Sequence, residues 1–473
     1  MKKAVRILAV VLSFVLIAGT VLPVSAMAVS EEISWEEYLN EGKGVYIGPG
    51  ADDTEMYVTW YGGKDGVTPC VKVSEKADMS DAETFEGTIH TGYKVDRSNH
   101  VTVTGLEKGK TYYYVCCDGT TDTEVKSFKT VAEGADFSAI YVSDVHITGN
   151  SFEDETIRDT SKVWSDVLTE ATAREDISLI LSGGDQATEG QPYEYYGLFY
   201  PQQVKTIPFA MAQGNHDVKR YTYDAVANYP NAKLTGLSKS LIHGDYYFTK
   251  GDALFLVLDS TNSSATDHYF FVKNAVKANP DAKWRIMMFH HDLYGGHIES
   301  RESENMLLRL LFTPIIDRFQ VDLVLTGHSH CFSRSHVIYR NEITENLAGK
   351  TSVTDTKGTI YLNNGSLKMN ADSQPQAPII DSDRKSEYIA TDYLAFDTPI
   401  YNILSFEENS LTIKSYTYGA ETPFTELTIN KTTQQGGHPD KPTQLWFVIG
   451  KYIGTIYNII NNISRQGEIA DRG

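Results

Sequence analysis

The sequence predicts a layered α/β domain standing behind a small all-β sandwich. Three observations carry this expectation. Six apolar runs between residues 137 and 325 each end abruptly in a polar cluster, and helical periods separate several of them. Before them, residues 31–132 break into short strand-like runs punctuated by Gly, Asp and Asn turns. The 473 residues exceed what one hydrophobic core usually spans, and the 41% apolar content lets each domain bury a core of its own.

The chain opens on a segment that reads as an export signal. Lys2, Lys3 and Arg6 give a basic start, residues 7–24 an apolar run, and Ser25, Ala26 and Ala28 a small-residue cleavage site after Ala26 or Ala28. Residues 1–28 are therefore set aside from the fold, an uncleaved anchor being the alternative. In the sandwich, residues 46–47, 56–60, 71–73, 101–103, 112–116 and 125–128 are strand candidates, and 131–134 a short linker.

The α/β part then runs in order. Residues 137–142 lead into Ser143-Asp144-Val145-His146, and 177–181 into Gly183-Gly184-Asp185. Residues 207–211 lead into Gly214-Asn215-His216-Asp217, and 253–258 into Asp259. Residues 284–289 lead into His290-His291-Asp292, and 321–325 into Gly327-His328-Ser329-His330. Helical periods stand at 157–168, 269–276 and 306–319. Strand-like runs at 337–339, 359–362, 401–406 and 411–418 are expected to complete the second sheet of the same domain. Residues 430–473 are a polar linker and a helical stripe of Ile449, Tyr452, Ile453, Ile456, Ile460 and Ile463. That helix packs back on the protein, lies on a membrane surface or partner, or spans a membrane. Lys451, Asn458 and Asn462 weigh against the last.

The formal charge of −20, from 42 basic and 62 acidic residues, excludes a polyanion-binding surface, and no basic stripe interrupts it. An anionic small substrate then needs a local cationic centre, which metal ions supply. Four cysteines, Cys70, Cys116, Cys117 and Cys331, are too few for a disulfide scaffold. Cys70 paired with Cys116 or Cys117 and free buried thiols are both open readings.

Two metal ions held close together need an anionic ligand that both share and several fixed neutral ligands. A carboxylate bridges with its two oxygens, imidazoles fill borderline positions, and an amide oxygen completes a sphere. The residues offering this are Asp144, His146, Asp185, Asn215, His290, His328 and His330, each in a polar cluster after a strand-like run. Asp144 and His146, like His328 and His330, stand two apart, so on an extended chain both members point to one side. One such pair is weak evidence; five ordered clusters are not.

The ordered set Asp144-Val145-His146, Gly184-Asp185, Gly214-Asn215-His216-Asp217, His290 and Gly327-His328-Ser329-His330 resembles the calcineurin-like metallophosphoesterases. The run 106–112, with Tyr112 placed as in a tyrosine corner, looks like a fibronectin type III-like domain and points to the purple acid phosphatase-like branch. The resemblance covers residues 40–425. It implies a four-layer metallophosphoesterase β-sandwich flanked by helices over 135–429, behind an all-β fibronectin type III-like sandwich over 31–132.

The resemblance also implies a dinuclear centre of iron, zinc or manganese. Asp144, His146 and His330 would hold the first ion, Asn215, His290 and His328 the second, and Asp185 would bridge. His290 fits the ligand position better than His291, because Tyr294 then falls where related phosphatases carry an aromatic. The implied activity is hydrolysis of phosphate monoesters outside the cell, by attack of a metal-activated hydroxide on phosphorus. His216 would serve as general acid or charge stabiliser, and Asp217 would orient it, orient the turn, or cap. His291, His297 and Arg334 are candidate substrate contacts, an exposed loop histidine being the bland alternative for His297. A phosphodiesterase on the same centre is the runner-up, and a surface binding protein with a non-catalytic core a third reading. The implied partners are a small phosphorylated substrate, no nucleic acid, and a membrane surface or cell envelope through the tail helix; oligomeric state is not legible.

Three departures from the family pattern stand out. Purple enzymes carry a tyrosine ligand three residues after the bridging aspartate, where this chain has Thr188, and it carries His146 where they usually have another residue. These two departures imply a protein that is not purple. Relatives have Tyr and Glu where this chain has Phe332 and Ser333.

Overall fold

The structure, a computed structural model, describes residues 34–91, 97–219, 222–233, 244–262, 264–294, 302–367, 386–393, 398–432, 442–443 and 445–452. The expected export signal, residues 1–28, lies outside them. Residues from Trp35 onward form one compact unit.

After a short helix, Trp35–Glu41 (α1), two antiparallel four-stranded sheets build the sandwich. One runs Tyr46–Pro49 (β1), Met56–Tyr61 (β2), Arg97–Val103 (β6) and Thr88–Thr91 (β5). The other runs Glu83–Glu86 (β4), Cys70–Ser74 (β3), Thr111–Cys117 (β7) and Lys126–Lys129 (β8). Alternation along the strands places Met56, Val58 and Trp60 of one sheet against Val71, Val73, Tyr112, Tyr114 and Cys116 of the other. The Glu107 N–H donates to the Tyr112 hydroxyl at 2.7 Å, tying down the connection before β7 as a tyrosine corner does. Strands β4 and β5 escape the sequence reading because their side chains are almost all exposed and show no apolar alternation.

Two seven-stranded sheets follow. The first runs Phe209–Met211 (β11), Ile177–Ser182 (β10), Phe137–Val142 (β9), Ile400–Phe406 (β22), Ser410–Thr417 (β23), Thr425–Asn430 (β24) and Ser352–Thr354 (β19). The second runs Tyr246–Lys250 (β12), Ala253–Val257 (β13), Trp284–Met288 (β14), Leu323–Thr326 (β15), Ile360–Asn363 (β20), Phe332–Ser335 (β16) and Ile389–Tyr393 (β21). A hairpin of Val337–Tyr339 (β17) and Glu342–Glu345 (β18) stands apart.

The sheets face each other across one core. Phe255, Val257, Ile286, Met288, Leu323 and Leu325 belong to it, while Leu254, Leu256, Met287 and Val324 pack into a second core with helices Ala265–Ala278 (α6) and Glu302–Arg318 (α7). Burial on both faces explains why these strands read as unbroken apolar runs. Helix Glu155–Arg174 (α2) packs Ile157, Trp164, Val167, Leu168 and Ala171 into the first core. The result is four layers: helix, sheet, sheet, helices. Three short helices, Pro192–Leu198 (α3), Gln203–Thr206 (α4) and Thr222–Val226 (α5), connect the sandwich side.

One topological expectation is corrected. Residues 400–406 and 410–417 do not complete the second sheet. They join the first, β22 pairing antiparallel with β9 from Asn402↔Tyr141 to Phe406↔Phe137. A buried strand presents two apolar faces, so its sequence does not say which sheet edge it extends. At the carboxyl end, residues 445–452 are helical (α8). Trp446 is buried there and its Nε1 donates to the Leu310 carbonyl at 3.0 Å, so this part of the tail packs back on α7. The rest of the predicted stripe lies outside the described residues. Among the described residues no helix is long and apolar enough to cross a membrane.

Candidate metal centre

Seven side chains converge beyond the carboxyl ends of five parallel strands. Asp144 and His146 follow β9, Asp185 follows β10, Asn215 follows β11, His290 follows β14, and His328 and His330 follow β15. The backbone does not bring the pairs together by extension, as the spacing suggested. Asp144, His146, Asp185, His328 and His330 have φ of 53°, 50°, 52°, 69° and 52°. Left-handed backbone costs roughly 1–2 kcal/mol per non-glycine residue, least for Asp, Asn and His. Five such residues in one site mark strain stored where side chains must be aimed. Glycine permits the crowding: a Cβ on Gly184, itself at φ 106°, would sit 2.5 Å from His290 Nδ1.

The ligand atoms form two groups joined by one carboxylate. His330 Nε2 lies 3.3 Å from Asp144 Oδ1 and 3.2 Å from His146 Nε2. His290 Nε2 lies 3.1 Å from Asn215 Oδ1 and 3.2 Å from His328 Nδ1. Asp185 Oδ2 lies 3.2 Å from His290 Nε2 and 3.7 Å from His146 Nε2, touching both groups. His216 Nε2 approaches the same oxygen at 3.9 Å, and its side chain is 29% exposed where the Asp185 side chain is 2%.

Electrostatics define what the site lacks. Asp144 and Asp185 are buried, yet among the described residues no Lys or Arg pairs with either. Burial alone would raise both carboxyls. The His330 and His290 rings outweigh it at Asp144, and the His290, His146 and His216 rings at Asp185, so both are held below the usual carboxylate range. Burial drives His146 well below the ordinary histidine value, whereas at His290 the Asp185 charge overcomes burial and lifts the ring to about 9. Ring nitrogens aimed at one another across 3.2 Å beside two buried carboxylates are a cation's donor set. Nitrogen and oxygen donors without thiolate suit zinc, iron or manganese. The residues present fit a two-metal group.

Support comes from behind. His290 Nδ1 lies 3.0 Å from the Gly183 carbonyl, which leaves Nε2 for the centre. Asp217 is fully buried and takes Gly214 N–H at 2.8 Å, Gln186 N–H at 3.0 Å and the Tyr195 hydroxyl at 2.6 Å. Burial and then the Asp185 charge push its carboxyl up to about 7. It thus ties the Asp185 loop to the Asn215 loop. Of the three roles open to Asp217, these contacts fit orienting the turn, while the His216 ring has its Nδ1 2.6 Å from the Thr188 carbonyl. Ser329 Oγ donates to Asp292 Oδ2 at 2.8 Å and joins the two histidine loops.

Residues 138–332 match the family model of the calcineurin-like phosphoesterases, and residues 43–130 that of the purple acid phosphatase N-terminal domain. Residues 138–332 are thus similar to a calcineurin-like phosphoesterase domain and stand behind a segment similar to a purple acid phosphatase N-terminal domain, the purple acid phosphatase-like arrangement that the motifs implied. It is 23% identical over 289 residues to purple acid phosphatase 15 of Arabidopsis thaliana, covering 55% of this chain and 53% of that one. It is 23% identical over 188 residues to phosphoenolpyruvate phosphatase of Allium cepa, covering 37% and 38%. The chain spans about half the length of the curated relatives it matches. The solved purple acid phosphatase PPD1 of yellow lupin superposes with a TM-score of 0.66 at 14% identity, over 85% of this chain and 77% of that one. PhoD superposes at 0.52 and 13% identity, over 89% and 98%. These likenesses concern the fold.

Against this metallophosphoesterase frame, Thr188 lies behind His146, its Oγ1 3.4 Å from Nδ1. The candidate substrate contacts fare differently from the ligands. His291 is buried, with Nδ1 2.8 Å from Ser260 Oγ and its ring against that of His328. Arg334 is 2% exposed, and its Nη2 donates to Thr391 Oγ1 at 3.2 Å. Neither opens on solvent, which argues for support rather than substrate contact. His297 lies outside the described residues. Sequence reading missed the Asp292–Ser329 tether and Lys219; their partners are far apart in sequence or carry no motif, so only the polar clusters themselves pointed near them.

Proposed function

We propose that this chain is an exported two-metal phosphatase of small phosphate monoesters. The observation that carries the reading is Asp185 Oδ2, within 3.2 Å of His290 and 3.7 Å of His146, so that one carboxylate reaches both halves of the donor set. When bound, two such cations lower the pKa of a water, screen the negative oxygens of a phosphate ester and hold phosphorus in line. Asp144, His146 and His330 would hold one ion, Asn215, His290 and His328 the other.

The chain's own residues do the rest. Asp144 and Asp185 supply buried negative charge that selects cations. His216, half-exposed at the open side, faces inward through Nε2 and donates a proton to the leaving oxygen, a contribution of roughly 10²–10⁴ in rate. Asp217 and the Asp292–Ser329 pair keep the ligand loops in place. Relatives named as phosphatases, one for phosphoenolpyruvate, support a small phosphorylated substrate. In this reading residues 1–28 are an export signal, 31–132 the sandwich and 135–429 the catalytic domain. Amino-terminal sequencing of secreted protein then begins at residue 27 or 29.

The test is hydrolysis of p-nitrophenyl phosphate against its bis ester by metal-loaded protein, with Asp185→Asn alongside. Monoester preference with loss of activity in the variant supports the reading. Strong diester preference makes the centre a phosphodiesterase, and unchanged activity in Asp185→Asn removes the chemistry from this centre.

A further inference from the structure

The His216 ring is steered from outside the donor set by a backbone carbonyl and a lysine together. Its Nδ1 lies 2.6 Å from the Thr188 carbonyl oxygen. Lys219 Nζ stands 2.9 Å from the same oxygen, 3.2 Å from Glu189 Oε1 and 2.9 Å from His216 Nδ1. A carbonyl only accepts, so the 2.6 Å contact requires a proton on Nδ1. An ammonium has no lone pair to receive that proton. The Thr188 oxygen therefore takes two donors, one on each lone pair, and Nε2 is left to face the centre.

The loop carrying that carbonyl is clamped. Thr188 N–H donates to the Ile147 carbonyl at 3.0 Å, and the buried Glu194 carboxylate receives Glu189 N–H at 3.0 Å and Gln191 N–H at 2.8 Å. Lys219 closes the bracket from the other side, joining residues 188–189 to the segment that bears Asn215 and His216. Its side chain is 31% exposed, so it is placed for a local tie rather than for holding a core.

We propose that Lys219 is a positioning residue for the phosphatase reaction: by holding the Thr188 carbonyl and Glu189 it presents His216 Nε2 to the leaving group, to which a ring protonated on both nitrogens gives its Nε2 proton while Nδ1–H stays on Thr188. The proposal rests on the phosphatase reading above. It predicts a defect that depends on the leaving group, since a poor leaving group needs the proton more than a good one.

The test compares Lys219→Met, Lys219→Arg and Lys219→Gln on phenyl phosphate and p-nitrophenyl phosphate, with metal content measured for each. Lys219→Met and Lys219→Gln should lose kcat about tenfold more on phenyl phosphate than on p-nitrophenyl phosphate, with KM and metal content nearly unchanged. Lys219→Arg should restore most of it. In a His216→Ala background Lys219→Met should add nothing. Equal losses on both esters, or an additive loss in that background, overturn the proposal. The metal-free protein gives a reading independent of turnover. A slowly exchanging His216 Nδ1–H proton should appear by NMR in the wild type and vanish in Lys219→Met. If the wild type hydrolyses neither ester, the phosphatase reading fails on its own, and persistence of that proton in Lys219→Met overturns the positioning role.

Discussion

Asp217→Asn tests how the ligand loops are fixed. The wild-type carboxylate offers Oδ2 to Gly214 N–H at 2.8 Å and Oδ1 to Gln186 N–H and the Tyr195 hydroxyl. An asparagine keeps the shape but sets one N–H₂ among these donors. Turned one way, it opposes Gly214 N–H; turned the other, it opposes Gln186 N–H, while the tyrosine hydroxyl rotates to accept. Either way one buried donor is orphaned, at about 1–3 kcal/mol. For a unit as long as Trp35–Gly473, unfolding entropy near 2.1 cal/mol/K per residue sums to about 0.9 kcal/mol/K, so Tm falls by only about 1–3 °C. The site feels more. Loosening a support behind metal ligands costs about 10–100-fold in affinity. Zinc titration against a competing chelator measures this directly, with Tyr195→Phe as the milder control that leaves both N–H partners in place. Wild-type zinc affinity in Asp217→Asn would refute the argument that this carboxylate holds the centre together.

Iron-loaded protein should show no violet tyrosinate band, because position 188 is a threonine whose Oγ1 lies 2.6 Å from Thr148 Oγ1; a purple preparation overturns this. Lys205 is fully buried, and among the described residues its Nζ has no hydrogen-bond partner and lies 4.7 Å from the Tyr38 ring centroid. Burial, helped by Lys126, depresses it to about 7, so between about pH 7 and 10.5 the unfolded chain binds the extra proton and stability rises with pH. Lys205→Met should therefore raise Tm most below pH 7, with the gain shrinking toward pH 10; a gain independent of pH would refute the buried-charge cost. Register sets Cys70 opposite Cys117 and Cys116 opposite Val71, and burial with the Cys70 thiol pushes Cys117 up to about 12. Diamide oxidation should remove two hydrogens and link Cys70 to Cys117, read by peptide mass; a Cys70–Cys116 link would contradict the register.

The candidate ligands were legible because each follows a strand buried on both faces, where an apolar run stops at a polar group. Their convergence was not. It depends on left-handed φ at Asp144, His146, Asp185, His328 and His330, which no residue pattern announces. The strand that joins Asn402 to Tyr141 crosses 261 positions, and nothing local to residues 400–406 names that neighbour. Lys219 lies three residues beyond His216, in plain sight, yet its role exists only because Thr188 arrives from another loop. Chemistry that sits in a motif is readable; chemistry that sits between loops is made by the fold.

The sandwich, whose composition said only that it packs, is also tied to the loops of the centre. Helix α5 ends at Val226, and its last carbonyls have no partner within the helix. The sandwich supplies them: Tyr46 donates its hydroxyl to Val226 O at 2.6 Å, and Ser98 Oγ and His100 Nε2 both meet Ala225 O. Tyr61 reaches the Pro192 carbonyl at the start of α3, and the Tyr38 hydroxyl donates to Tyr196 O within it. Helix α3 carries Tyr195 and Glu194, which grip Asp217 and the 189–191 loop, and α5 begins just beyond Lys219. The sandwich is therefore joined to the segments on both sides of His216, so cutting it away strips hydrogen bonds from the residues that hold the site rather than from a remote surface. Expressing residues 135–429 alone should give weaker metal binding than Tyr46→Phe in the full chain, and full zinc affinity in the isolated piece would show that the sandwich is only attached.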